Sequence, residues 1–229
     1  MKYNSGGFTV LLERFGDADA FILSRWGVRM AVAGGLLLWI AAIPVLDRLI
    51  GLDDTEQGAV ENLQLVILSA AGALWLLAAA RPRPEFAETF RALALGVAAA
   101  CIAGLGREVT WGEIWDWPAD AVLAAHLVSW PAAAALILAA FYRWLCREPS
   151  RLEGLRRAFA SMEFEFLIIG VGCFLAADLL FEKELLQLHH DKVLEEAIEL
   201  FAYALWLAGA LHATLRGRRR GRRGSAAAR

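Results

Sequence analysis

Apolar residues in this chain neither alternate nor recur every three or four positions; they run on. Six stretches read this way, approximately 28–46, 57–80, 88–107, 120–142, 163–182 and 193–215. At 1.5 Å per residue, about 20 helical residues cross the hydrocarbon core of a bilayer. The pattern predicts an all-α polytopic membrane protein, with six transmembrane helices in one bundle. Residues 1–27 precede the first span, 28–215 form the membrane domain, and 216–229 make a basic, disordered tail. Within the first segment, residues 8–26 carry Phe8, Leu11, Leu12, Phe15, Phe21, Ile22 and Trp26. They lie along the membrane surface or form a short irregular tail. No short basic region precedes the first span as in a cleaved signal peptide.

Composition sharpens the class. The 229 residues are 59% hydrophobic, with a mean hydropathy of +0.48, too apolar for an ordinary soluble domain or a disordered chain. The three cysteines, Cys101, Cys146 and Cys173, are far apart and sit in apolar surroundings. That spacing suggests neither a disulfide framework nor a thiolate zinc site.

A formal net charge of −2 hides a division. When the connections between spans are assigned alternately to two sides, nineteen of the 23 lysines and arginines fall on one side. Only Arg48, Arg107, Lys183 and Lys192 fall on the other. Basic residues mark the cytoplasmic side, so both termini are expected in the cytoplasm and the protein in a bacterial inner membrane. Sixteen of the 25 acids fall on the opposite side. The positive-inside rule does not explain them, because acids contribute little to orientation.

The informative polar residues enter the spans. Glu61 lies about four residues into the second span and Glu199 about six into the sixth, or roughly 6 and 9 Å deep. His126 reaches a similar depth in the fourth. Glu108 ends the third and Asp178 nears the end of the fifth. At 100° per residue, Glu195, Glu196 and Glu199 occupy one arc, which Tyr203 continues inward. Glu61 and Gln64 share a face beside Asn62, and Asp178 and Glu182 stand one turn apart. A lipid-facing charge at mid-span costs about 2.5–3.5 kcal/mol on insertion scales. These groups are therefore expected to face the protein interior.

Three functions follow from that expectation. In the first, Glu61, Glu108, His126, Asp178, Glu195 and Glu199 form an outward-facing acidic site that binds or moves a proton or a cation, a divalent ion included. In the second, they belong to a membrane-embedded hydrolase, with a carboxylate or histidine as base or zinc ligand. In the third, they join Asn62, Gln64, Arg107 and Tyr203 in a hydrogen-bonded network that fixes helix register or binds a partner.

The third connection carries Arg107, Thr110 and Glu113 among three tryptophans, Trp111, Trp115 and Trp117, which suit a membrane–water interface. The run Glu108-Val109-Thr110-Trp111-Gly112 resembles the Glu-[aliphatic]-[Ser/Thr]-Trp-Gly motif of a family of uncharacterised bacterial multi-span membrane proteins. The acidic entry to the second span, Asp53 to Gln64, and the Glu-rich last span, Leu194 to Leu200, extend the resemblance. Glu113 and Ile114 stand where that family often has Gln-Arg. The resemblance implies a polytopic membrane protein and no particular activity. A weaker likeness, to the alkaline ceramidases and related seven-span hydrolases, rests on His126, His189, His190, Asp178 and Glu61. Their His-x-x-x-His pair is absent, and adjacent His189 and His190 point in different directions on any regular helix.

Phosphate-binding loops, dinucleotide fingerprints and zinc-protease helices are absent from the sequence. No nucleic-acid partner is expected: the total charge is near zero and the arginines from Arg216 to Arg223 have no aromatics among them. That basic run is a topology signal, and it is placed to bind anionic lipid. The connection at 143–162 is expected to form a short amphipathic helix through Leu152, Leu155, Phe159 and Met162.

Overall fold

The computed structural model describes residues 25–50, 59–81, 87–108, 117–182 and 191–227. All regular structure among them is helical. The elements are α1 (Arg25–Ile50), α2 (Ala59–Ala80), α3 (Ala87–Glu108), α4 (Ala119–Tyr142), α5 (Arg151–Phe159), α6 (Met162–Ala177) and α7 (Asp191–Ala227). Wider π-type turns extend α4 through Arg143–Arg147 and α6 through Asp178–Glu182. The six expected apolar segments all lie on these helices.

Among the described residues, four stretches are long and apolar enough to cross a membrane: Asn62–Ala80, Glu88–Gly106, Ala119–Arg147 and Leu194–Leu215. In α1 the described stretch Arg29–Trp39 is a shorter apolar helix. Helix α6 has 16 residues before its wide turn, with Glu163 and Glu165 in its first turn. With four such helices among its described residues, the chain reads as a membrane protein.

Direction follows from the contacts. Helices α2 and α3 are antiparallel: Gly72 meets Cys101, and Gly104 meets Leu68. Helices α3 and α4 are antiparallel through Gly106 and Ser129. Helices α6 and α7 are antiparallel, with Gly170 against Ala202 and Trp206, and Gly209 against Glu163 and Phe166. Helices α2 and α7 run parallel, joined at Gln64–Glu196, Trp75–Trp206 and Arg81–Thr214. Helix α1 crosses α7 with Trp39 at Ala197 and Gly35 at Phe201. Successive long helices therefore alternate in direction.

The arrangement corrects the expected single bundle. The main packed pairs are α4–α3, α3–α2, α2–α7 and α7–α6, with α1 on α7. The helices form a row, in which α7 meets three neighbours, α2, α6 and α1. Half of the Leu194–Leu215 window is buried, against 6% for Ala119–Arg147 at the end of the row. The close approaches occur at glycines, where the missing side chain lets a neighbouring ring or backbone in. Hydropathy alone does not reveal this, because apolar residues on all sides of a helix specify no particular neighbour. The core comprises Leu68, Trp75, Val97, Cys101, Leu167, Tyr203 and Trp206 with several alanines.

Two peripheral segments are helical as well. The backbone of α7 stays helical through the basic run to Ala227, where a disordered tail is expected. Arginine and alanine are both good helix formers. The short helix expected in 143–162 forms as α5, with Leu152 and Phe159 exposed, Leu155 half-buried and Gly154 buried. Residues 8–24 lie outside the described residues.

Candidate functional site

Helix α7 brings its polar residues into an interior that is otherwise apolar. Glu199 is only 4% exposed and Tyr203 is fully buried one turn further on. Tyr203 stacks at a tilt on Phe174 of α6 and on Trp206, with ring centroids 6.1 and 5.7 Å apart. Glu199 thus lies at the level where α2, α6 and α7 meet. Glu195 and Glu196 are half-buried. The Gln64 side chain, fully buried on α2, donates from Nε2 to the Glu196 carbonyl at 2.9 Å. From the other side, Trp39 Nε1 donates to the Ala197 carbonyl at 2.7 Å.

Helix register sets the expected polar residues at one level. The step that pairs Gly104 with Leu68 brings the backbone of Glu108 level with Gln64. The contact of Gly170 with Ala202 puts Asp178 level with the first turns of α7. His126 is one turn from Ser129, which meets Gly106 at the same end. A common level is not convergence, however. Helix α4 packs chiefly on α3, so His126 is separated from Glu199 by α3 and α2. Asp178 and His126 are half-buried, and Asn62 is exposed. The side chains of Glu61, Arg107, Glu108 and Glu182 lie outside the described residues, as do Thr110, Glu113, His189 and His190.

No group of three or more His, Cys, Asp or Glu residues is placed to hold a metal ion among the described residues. Glu199 is the buried acid of this level, with Glu195 and Glu196 half-buried on the same helix and the Gln64 amide on the Glu196 carbonyl.

A second polar cluster, absent from the sequence expectations, lies at the opposite ends of these helices. Ser161 caps α6, its hydroxyl accepting from the Phe164 N–H at 3.2 Å. Glu163 in the following turn is 1% exposed, and its Oε1 lies 3.4 Å from Nδ1 of His212 on α7. Its neighbour Glu165 pairs with Arg29 of α1. Arg81 donates to the Thr214 carbonyl at 2.7 Å. At the same end, Glu88 bridges Arg91 and Arg143 at 2.8 and 2.7 Å. Buried Glu148 accepts from both the N–H and the hydroxyl of Thr89 at 2.9 Å, satisfying free donors in the first turn of α3. A signal for the Glu163 pair exists in the sequence: an acid in the first turn of an apolar helix, and a lone histidine near the corresponding end of another.

No protein-family model matches the chain, nor does any curated protein or solved structure.

Proposed function

We propose that this is an integral membrane protein that binds and passes protons through an interior acidic site centred on Glu199. The observation that carries this reading is a carboxylate 4% exposed on the helix that meets α1, α2 and α6, within a stretch long and apolar enough to span a membrane. A carboxylate there is costly to keep charged, so it is held protonated or matched by a partner. A single proton satisfies it without the several converging ligands that a metal ion demands. Glu195, Glu196 and Asp178 supply further acids at the same level for exchange with the surface. The hydrolase reading requires a ligand or base constellation that the described residues do not form.

The topology belongs to the same proposal: a bacterial inner membrane, both termini cytoplasmic, and the Arg216–Arg223 run against anionic headgroups. Membership of the multi-span family with the Glu-[aliphatic]-[Ser/Thr]-Trp-Gly motif is likewise proposed, on Glu108 to Gly112.

The test is proton flux. The protein is reconstituted in liposomes with an internal pH dye, under a potassium diffusion potential. Wild type is expected to dissipate the pH gradient, and Glu199→Gln to slow it at least tenfold. Equal flux in the two overturns the proposal, as does wild-type flux no greater than that of empty liposomes.

One observation favours a second reading, that of a polar network serving assembly. Trp39, Gln64, Trp75 and Arg81 each donate to a main-chain carbonyl of α7. Four bonds to the backbone of one helix fix register whatever else the acids do. In that case Glu199→Gln lowers stability and no flux is seen in wild type.

A further inference from the structure

Helix α5 takes no part in the site around Glu199, and it turns its apolar side chains outward. Leu152 is 83% exposed and Phe159 55%. Around the helix axis they stand about 20° apart, with Gly154 about 160° from Leu152. Gly154 is the buried residue of α5 and faces Thr89 and Glu148, so the two apolar side chains point away from α3. We propose that α5 is an interfacial helix that docks on anionic phospholipid, with Leu152 and Phe159 among the acyl chains and Arg151 and Arg156 on headgroup phosphates. The proposal rests on the chain being a membrane protein and not on the role of Glu199.

Three observations point to lipid. The first is depth. Thr89 is the second residue of the apolar stretch Glu88–Gly106, and Glu148 directly follows the stretch Ala119–Arg147. The Glu148 carboxylate accepts from the N–H and the hydroxyl of Thr89 at 2.9 Å. The start of α5 is therefore tied to the level where two apolar stretches end, which is the membrane boundary. The second is side. Thr89, Gly96 and Ala100 lie within about 40° of one another around α3. Gly96 has open space beside it and Ala100 is exposed. The flank of α3 on which α5 rests is thus bare further in, where acyl chains cover it. Helix α5 lies beside that flank rather than over the end of α3, and its outward face looks into the leaflet.

The third is charge. Four arginines and two acids lie between Arg147 and Phe159. Both acids are engaged: Glu148 is buried on Thr89, and Glu153 accepts from Arg157 at 2.9 Å. Arg156 is 83% exposed and 4.0 Å from Glu153, too far for a hydrogen bond. It stands about 40° from Leu152, so its stem lies along the apolar stripe while its head reaches a phosphate. Arg151 gives an N–H to the Leu145 carbonyl. A guanidinium has five such donors, so others serve a phosphate. An apolar stripe flanked by bases is the pattern of a helix lying in the interface plane. Phe159 meets Phe164 of α6 edge-on, with centroids 4.6 Å apart, which fixes the far end of the stripe.

The test uses full-length protein in liposomes of phosphatidylcholine and phosphatidylglycerol. A nitroxide on Leu152→Cys, in a Cys146→Ser protein, reports its surroundings by electron paramagnetic resonance; Cys101 and Cys173 are buried. Oxygen concentrates among acyl chains and a nickel chelate in water. Oxygen is expected to relax the label more strongly than nickel. Nickel dominance overturns the proposal. So does shielding from both, which would mean that a second copy of the chain covers the face. Binding of spin-labelled phosphatidylglycerol, relative to spin-labelled phosphatidylcholine, is then compared between wild type and Arg151→Gln/Arg156→Gln. The variant is expected to lose about threefold or more of that preference. The Arg216–Arg223 run is the same in both proteins and cancels in the comparison. An unchanged preference overturns the proposal. Should the double variant fail to fold, Arg156→Gln alone leaves the bond to Leu145 in place. A reduced preference then supports the site, and an unchanged one overturns it. Neither readout measures proton flux, so each proposal stands or falls separately.

Discussion

Trp75 donates its indole N–H to the main-chain carbonyl of Trp206, at 3.1 Å, inside the buried core. This bond joins residues 131 positions apart and belongs to two helices that run in the same direction. Parallel neighbours cannot be linked by a short turn, so side-chain bonds of this kind set how far one slides along the other. Gln64 above and Arg81 below repeat the device on the same pair.

Gly170 is expected to be intolerant even of alanine. A methyl group there would meet the Trp206 indole at 2.6 Å and the Ala202 carbonyl oxygen at 3.0 Å, and the backbone atom cannot swing away. Gly170→Ala should cost about 1–3 kcal/mol, as overpacking does. Gly172→Ala, with open space around it, should be neutral or slightly stabilising. Unfolding in mixed micelles compares the two.

The end of α3 invites a compensation experiment. A methyl group at Gly154 would lie 2.3 Å from the Thr89 hydroxyl oxygen and 3.1 Å from its Cβ. Gly154→Ala should destabilise, and so should Thr89→Ala, which removes a hydrogen bond to Glu148. Together they should cost less than their sum by roughly 0.5–3 kcal/mol, since the second change makes room for the first. Strict additivity in a double-mutant cycle would contradict the close approach.

Acid should loosen α5 only at low pH. The hydrogen bond from Arg157 Nε to Glu153, at 2.9 Å, holds that carboxyl below its ordinary range. A lowered folded pKa gives stability that is present above the unfolded value and lost as pH falls through the folded one. The pair is exposed, so the effect should be small and screened by salt. Carbon NMR of the Glu153 carboxyl should show a midpoint below that of an ordinary glutamate, moving upward in Arg157→Gln.

The helical segments were legible because hydrophobic length is a direct physical requirement of crossing a bilayer. Each span reads as one helix to within a few residues, except that α7 runs on past residue 215. Which helices touch was not legible. Glu195, Glu196, Glu199 and Tyr203 share an arc and do enter the interior, because one helix carries them all. His126 has similar chemistry at the same level, yet α3 and α2 stand between it and Glu199. Partner choice depends on where glycines admit a neighbour, as at Gly170 and Gly209, and that is a property of pairs of helices. Glu163 escaped notice for a related reason. It stands in the first turn of an apolar helix, where an acid reads as solvated, and only the packing of α6 on α7 reveals that it is buried.

That α7 meets three neighbours has a consequence for biogenesis. Helices α2, α3 and α4 can pair with their neighbours as they emerge from the ribosome. Helices α1, α2 and α6 must wait for a partner translated after all of them. Until then the Trp75 indole N–H, the Gln64 amide and the Arg81 guanidinium have no α7 carbonyl to receive them, and Glu163 has no His212. The last helix to be made therefore completes the assembly, and chains stalled before residue 191 should be the ones that quality control removes.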